Sequence, residues 1–242
     1  IGSLGEVGPL AFGCWRLTGS DSDNFAVVTA AVDAGMTLID NADVYGLDWG
    51  GTHFGACEEA LGRIFASSPG LRDRITLATK GGIIPGVPYN SSSEYIVKAC
   101  EASLSRMGVE HVDLYQIHRW DHRTPIEETM EALHDLIKMG KVLHIGASSM
   151  YAWQFSKAQY VADANGWTRF VSMQPHYNLI NREEEREMLP LCVDMNIAVI
   201  PWSPMARGKL TRAWDESTNR TESDEFGRYL YGMEESDRAV AD

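Results

Sequence analysis

Cations are in short supply in this 242-residue chain: 21 Lys and Arg stand against 34 Asp and Glu, for a net charge of −13 and a pI near 4.9. Binding to a nucleic-acid backbone needs clustered cations that release counterions, so a nucleic-acid partner is argued against, and only a local basic pocket for a small phosphorylated ligand stays open. Cysteine is scarce too. Cys14, Cys57, Cys100 and Cys192 are scattered singly, with no C-x-x-C pair and no His at zinc-finger spacing, which predicts reduced thiols in a cytoplasmic compartment. No apolar run approaches the ~18 residues of a membrane-spanning helix, and no basic-then-apolar leader opens the chain, so neither a membrane nor export is expected. Met is missing from position 1, where Ile1 stands, so further residues are expected ahead of it.

What is present is the composition of a globular chain, 44% hydrophobic and 23% charged, enough to bury a large core. The length allows one or two domains, although α/β barrels of ~250 residues form a single unit. Seven short runs rich in apolar and β-branched residues recur, beginning at Leu10, Thr37, Ile75, Val112, Val142, Phe170 and Ile197. Each is nearly continuously apolar in its first half, as strands of a parallel sheet buried on both faces are.

Between them lie segments with helical period. From Thr124 to Gly140, Thr124, Pro125 and Glu127 read as a capping box with proline at the first helical position. Ile126, Met130, Leu133 and Ile137 then share one face, and Gly140 supplies a left-handed stop. Phe25, Val28 and Val32, ending at Gly35, form a second stripe. Ile96, Val97, Cys100, Leu104 and Met107, ending at Gly108, form a third.

Alternating strand and helix predicts a parallel α/β fold. A doubly wound sheet would announce itself with G-x-G-x-x-G after the first strand, and none follows Leu10. Polar residues instead close the runs, at Asp40, Lys80, His118, Ser148, Gln174 and Ser203. Convergence from several strand ends is how a closed barrel builds its site. The expectation is therefore a single (β/α)8 TIM barrel over residues 1–242, with seven β/α units visible and the C-terminal unit absent. Residues 210–238 are acidic and poor in periodic hydrophobics, and read as a long loop after the seventh strand.

Asp40, Tyr45, Lys80 and His118 fall at successive strand ends of one rim. A tyrosine with a pKa of about 10 is a reluctant proton donor at neutral pH, but a neighbouring ammonium stabilises its phenolate and lowers that pKa. Lys80 would supply that ammonium, Asp40 would keep it charged and aimed, and His118 would donate to the same substrate oxygen. The chemistry implied is proton donation to an oxygen whose carbon receives a hydride. No amino acid supplies hydride, so a nicotinamide or flavin must.

These blocks resemble the aldo-keto reductases, barrel enzymes that use NADPH to interconvert aldehydes or ketones and alcohols. GMTLIDNADVYG, followed by CEEALGRIF, resembles the family's signature, and ATKGG and DLYQIH resemble its next two catalytic blocks. The resemblance implies Tyr45 as general acid with Asp40, Lys80 and His118 completing a tetrad. It places Gly13, Cys14 and Trp15 beside the nicotinamide and the substrate mouth, with Asp40 also near the cofactor. Ser148, Ser149 and Gln174 would hold the carboxamide, Ser149 standing where Asn is usual. Trp202 would stack on the nicotinamide ring. Ser203, Pro204, Met205, Arg207 and Gly208 would line the pyrophosphate, with Arg207 the only cation there. Trp15, Trp49 and Trp120 are expected to wall an aromatic-friendly substrate pocket.

Nothing after Arg238 resembles the basic residues that grip the adenosine 2′-phosphate, which leaves NADPH versus NADH preference open. GASSMYAWQF resembles the aryl-alcohol dehydrogenase branch, which implies a small-molecule carbonyl or alcohol as partner, aromatic aldehydes included. A homo-oligomer stays open. Two rivals remain at this point. One is a cofactor-binding regulatory subunit of the same fold. The other is a metal-dependent barrel hydrolase, weakened because no H-x-H pair follows the first strand. Among the other histidines, His144 reads as a strand residue facing core or helix, and His176 and His122 as candidates for the pocket rim.

Overall fold

The computed structural model describes residues 4–47, 51–214, 216–218, 222–231 and 238–240. Each of the seven apolar runs contains a strand. In chain order these are β1 (Ala11–Gly13), β2 (Leu38–Asp40) and β3 (Thr76–Gly81), then a hairpin of β4 (Ile83–Ile84) and β5 (Val87–Tyr89) that sequence patterning missed. There follow β6 (Val112–Ile117), β7 (Val142–Ser148), β8 (Phe170–Gln174) and β9 (Ala198–Val199). Among the described residues, seven strands form one curled sheet in the order β1-β2-β3-β6-β7-β8-β9, every neighbouring pair parallel.

Parity along the strands divides the core in two, because successive side chains point to opposite faces. Ile39, Leu77, Tyr115, Ile117, Ile145 and Met173 join the large cluster that the helices cover. Leu38, Ala78 and Leu114 form a separate small cluster. The same alternation that sends Leu38, Ala78 and Leu114 one way carries Asp40, Lys80 and Gln116 with them. Register brings these residues side by side, Asp40 opposite Ala78 and Lys80 opposite Gln116. The polar site is thus the continuation of the inner face toward the C-terminal strand ends.

The helices α1 (Asp21–Asp33), α2 (Ala56–Ser67), α3 (Ser93–Met107), α4 (Ile126–Lys138), α5 (Ala152–Asn165) and α6 (Met188–Asp194) cover the outer face. In α4, Ile126, Met130 and Leu133 are buried, each contributing roughly 1.5–3 kcal/mol of hydrophobic stabilisation. Gly140 has φ 72° and stops the helix as expected. Its start differs from the expected capping box. Pro125 is the N-cap residue, with no side-chain cap bond. The Thr124 hydroxyl donates instead to Asp121 at 2.7 Å, in a turn where Asp121 also takes the Arg123 and Ser91 amides. A charge-assisted bond to a carboxylate outcompetes the neutral cap.

In α1 the stripe shifts by one residue. Phe25 is exposed, while Asn24, Val28, Ala31 and Val32 are buried, and the Asn24 side chain bonds the Gly19 amide and carbonyl. The acidic segment is not all loop: it holds a short helix, α7 (Glu225–Leu230), anchored by the buried residues Asp224 and Tyr231.

Candidate active site

Lys80 is fully buried on β3, and its ammonium donates to Asp40 Oδ2 and to the Asn41 carbonyl, both at 2.7 Å. The other Asp40 oxygen accepts from Gln174 Nε2 at 3.1 Å and Gln116 Nε2 at 3.3 Å. Burial pulls the Lys80 pKa down, but Asp40 and Tyr45 outweigh it and the net shift is upward, so the ammonium keeps its proton. A buried pair of this kind holds only when its remaining hydrogen-bonding capacity is filled, and the two glutamines do that for Asp40. Gln116 was missed by sequence reasoning, although its place two residues before His118, on the same strand face, was the available signal.

Tyr45 lies in the loop after β2, which is pinned from both sides. The Asp43 amide donates to the Lys80 carbonyl at 2.9 Å, the Cys57 amide to the Tyr45 carbonyl at 3.3 Å, and the Asn41 side chain to the Cys57 carbonyl at 3.2 Å. Behind this loop the buried Glu58 accepts from Arg106 at 2.7 Å and from Thr79 at 2.5 Å. The loop brings the Tyr45 ring under the Lys80 ammonium, 5.0 Å from its centroid, and edge-on to His118 at 6.0 Å. Burial raises the Tyr45 pKa by more than Lys80 lowers it through charge and a hydrogen bond, so the net is a rise where a lowered pKa was expected. The phenol therefore carries its proton at neutral pH. His118 is shifted the other way: burial, then Lys80 and Arg119, hold it well below its ordinary value, so the imidazole is neutral.

Of the residues assigned to a dinucleotide, Gly13, Cys14, Trp15 and Asp40 stand at the ends of β1 and β2, and the others follow β7, β8 and β9. The Ser148 hydroxyl donates to the Gln174 carbonyl at 2.9 Å, and the Trp202 indole N–H donates to the Ser149 hydroxyl, also at 2.9 Å. His176 lies flat on Trp202, with centroids 4.0 Å apart. Ser149, Ser203, Ala206 and Arg207 all have φ between 46° and 55°. Left-handed backbone at non-glycine residues is costly and concentrates where a ligand is held. Met205 and Pro204 are exposed, and Gly208 is left-handed at φ 97°.

The groups present fit a nicotinamide dinucleotide. His118 Nδ1 and Gln116 Oε1 are buried with no hydrogen-bond partner among the described residues, a side chain added at Gly13 would enter open space, and Ser148, Ser149, Gln174 and Trp202 bring amide-binding groups and an aromatic plane together. Arg207 is the only cation of the 203–208 loop. Its guanidinium sits 3.9 Å from the Trp15 ring and is paired with Asp224 at 2.7 Å, and Arg16 approaches the same carboxylate at 3.5 Å. Arg119 stands over Trp202. Neither Arg16 nor Arg119 was a candidate from sequence, because both follow other strands.

Cys14 is fully buried at the turn after β1. Trp120 packs edge-on against Trp153 of α5 at 5.9 Å, and Trp49 lies outside the described residues. His144 bonds the Asp113 carbonyl at 3.3 Å.

Residues 9–233 match the sequence model of the aldo/keto reductase family. The chain belongs to that family. The (β/α)8 barrel of the aldo/keto reductases accounts for the curled parallel sheet and for polar residues gathered at one end of it. The chain is 36% identical to the versiconal hemiacetal acetate reductase of Aspergillus parasiticus, across 100% of this chain and 74% of that protein. It is 37% identical to an aldo-keto reductase of Alternaria alternata, across 86% and 62%. A putative aryl-alcohol dehydrogenase of Saccharomyces cerevisiae is 45% identical, across 62% of this chain and 44% of that protein. As a member of the family this chain is an oxidoreductase.

Proposed function

We propose that this chain reduces aldehydes or ketones to alcohols with a nicotinamide dinucleotide, taken as NADPH, and that Tyr45 gives the proton. The observation that carries this reading is the Lys80 ammonium, buried, held by Asp40 at 2.7 Å and placed over the Tyr45 ring. The dinucleotide, when bound, supplies hydride to the carbonyl carbon. Ser148, Ser149 and Gln174 would hold its carboxamide, Trp202 and Trp15 would flank it, and Arg207 would meet its phosphates.

The remaining work falls to the protein. The Tyr45 hydroxyl holds a proton at neutral pH and faces an environment in which a nearby ammonium stabilises the phenolate left behind. His118, neutral and therefore still a hydrogen-bond donor at one ring nitrogen, orients the carbonyl oxygen and stabilises charge that develops on it. Asp40 fixes Lys80 in place. The names of the fungal relatives agree with a carbonyl or alcohol substrate, aromatic ones included.

The test is NADPH oxidation with a panel of aldehydes, with NADH run beside it. In Tyr45→Phe, kcat falls by about 10²–10⁴-fold, the span of general acid catalysis, while dinucleotide binding, read by tryptophan quenching, persists. Undiminished turnover in that variant would remove Tyr45 from its role. Absence of turnover in the unaltered protein, with the dinucleotide bound, would favour a regulatory subunit.

A further inference from the structure

Arg119 directly follows His118, yet neither tetrad chemistry nor dinucleotide binding uses it. Its guanidinium donates to the His118 carbonyl at 3.5 Å and stands 5.8 Å from the Trp202 ring centroid. It is close enough to interact electrostatically with both Tyr45 and His176. Neighbouring cations each meet a carboxylate: Lys80 meets Asp40, Arg106 meets Glu58, and Arg16 and Arg207 share Asp224. Among the described residues, no carboxylate pairs with Arg119.

A half-buried cation without a carboxylate is costly, and burial alone already depresses its pKa. An arriving anion recovers that cost. The requirement is sharper here because a chain of net charge −13 repels anionic substrates at long range. A single planar fork matches the two oxygens of a carboxylate, whereas one guanidinium leaves a phosphate dianion half neutralised.

We propose that Arg119 binds a carboxylate carried by the carbonyl substrate, so that the site prefers aldehydes or ketones bearing an acid group. This rests on the reductase reading of the Tyr45 site, and the two are tested separately. The probes are 4-formylbenzoate, its methyl ester, and the corresponding alcohol, 4-(hydroxymethyl)benzoate.

In the unaltered protein kcat/KM for the acid exceeds that for the ester by at least about tenfold, as a hydrogen-bonded charge pair allows. In Arg119→Gln that ratio collapses toward one, chiefly through KM for the acid. Arg119→Lys restores part of it, and dinucleotide affinity stays as in the unaltered protein. Calorimetry with 4-(hydroxymethyl)benzoate gives an answer that needs no turnover: its affinity falls about tenfold or more in Arg119→Gln. Three results would overturn the assignment: no preference for the acid in the unaltered protein, an acid-to-ester ratio that survives Arg119→Gln, or equal loss of both substrates together with dinucleotide affinity. If no carbonyl is reduced but the calorimetric loss is seen, the anion site stands and the reductase reading fails.

Discussion

His176 shows how a single side chain is set by neighbours that are remote in sequence. Asn181 donates to its Nδ1, which leaves the Nε2–H to donate to the Tyr231 hydroxyl. Burial, then the nearby Arg207 and Arg119 cations, lowers its pKa to about 4. The unfolded chain takes up this proton near pH 6.5, so between pH 6.5 and 4 the unfolded state binds more protons and stability falls as the pH falls. His118, also depressed, adds to the same trend. The expected outcome is that the urea midpoint drops between pH 7 and pH 5, and that His176→Gln shows a smaller drop. An identical drop in the variant would show that His176 is not the group responsible. Its position two residues past Gln174 marked it as a rim candidate, but its stacking on Trp202 and its bond to Tyr231 join segments whose proximity no local pattern reveals.

At the scale of elements, α2 and α3 meet at a glycine. A Cβ on Gly62 would lie 2.3 Å from the Arg106 carbonyl oxygen and 3.1 Å from the Met107 Cα, both backbone atoms of α3. In an exposed helix, Gly→Ala stabilises by up to about 1 kcal/mol. Here the sign reverses. Gly62→Ala forces the two helices apart and is expected to cost about 1–3 kcal/mol, measured by chemical denaturation. A stabilised variant would show that the contact yields freely. The sequence displayed α3 and α4 plainly, since apolar residues at intervals of three and four survive any packing partner. It misplaced the start of α4 because the capping box was judged from Thr124 and Glu127 alone, whereas Asp121 and Ser91 decide where the Thr124 hydroxyl goes. It missed α7 for a related reason: an acidic stretch looks solvated until Arg207 and Arg16 appear beside Asp224.

For the molecule as a whole, the thiols report how well the chain is closed. All four cysteines are free and buried. Burial pushes Cys57 and Cys192 up to about 11 and Cys100 up to about 12, and Cys14 is raised well above its ordinary value. The reactive form is the thiolate, so in the native protein at pH 8 all four should resist a disulfide reagent such as 5,5′-dithiobis(2-nitrobenzoate). All four should react promptly in denaturant. Fast labelling of the native protein would mean that a cysteine is more accessible than the packing shows.

The order of strands and helices, the parallel class of the sheet and the alignment of Asp40, Lys80 and His118 at strand ends were all written locally. They depend on periodicities of two and 3.6 residues, which belong to the backbone and need no partner. What only the tertiary structure decided is how charges are shared: that Gln116 and Gln174 converge on Asp40, that Asp224 engages Arg207 and Arg16, and that Arg119 faces the site with no carboxylate partner among the described residues. Ionic and hydrogen-bond pairing depends on distances of a few ångströms between residues up to 134 positions apart, and those distances exist only once the sheet has curled.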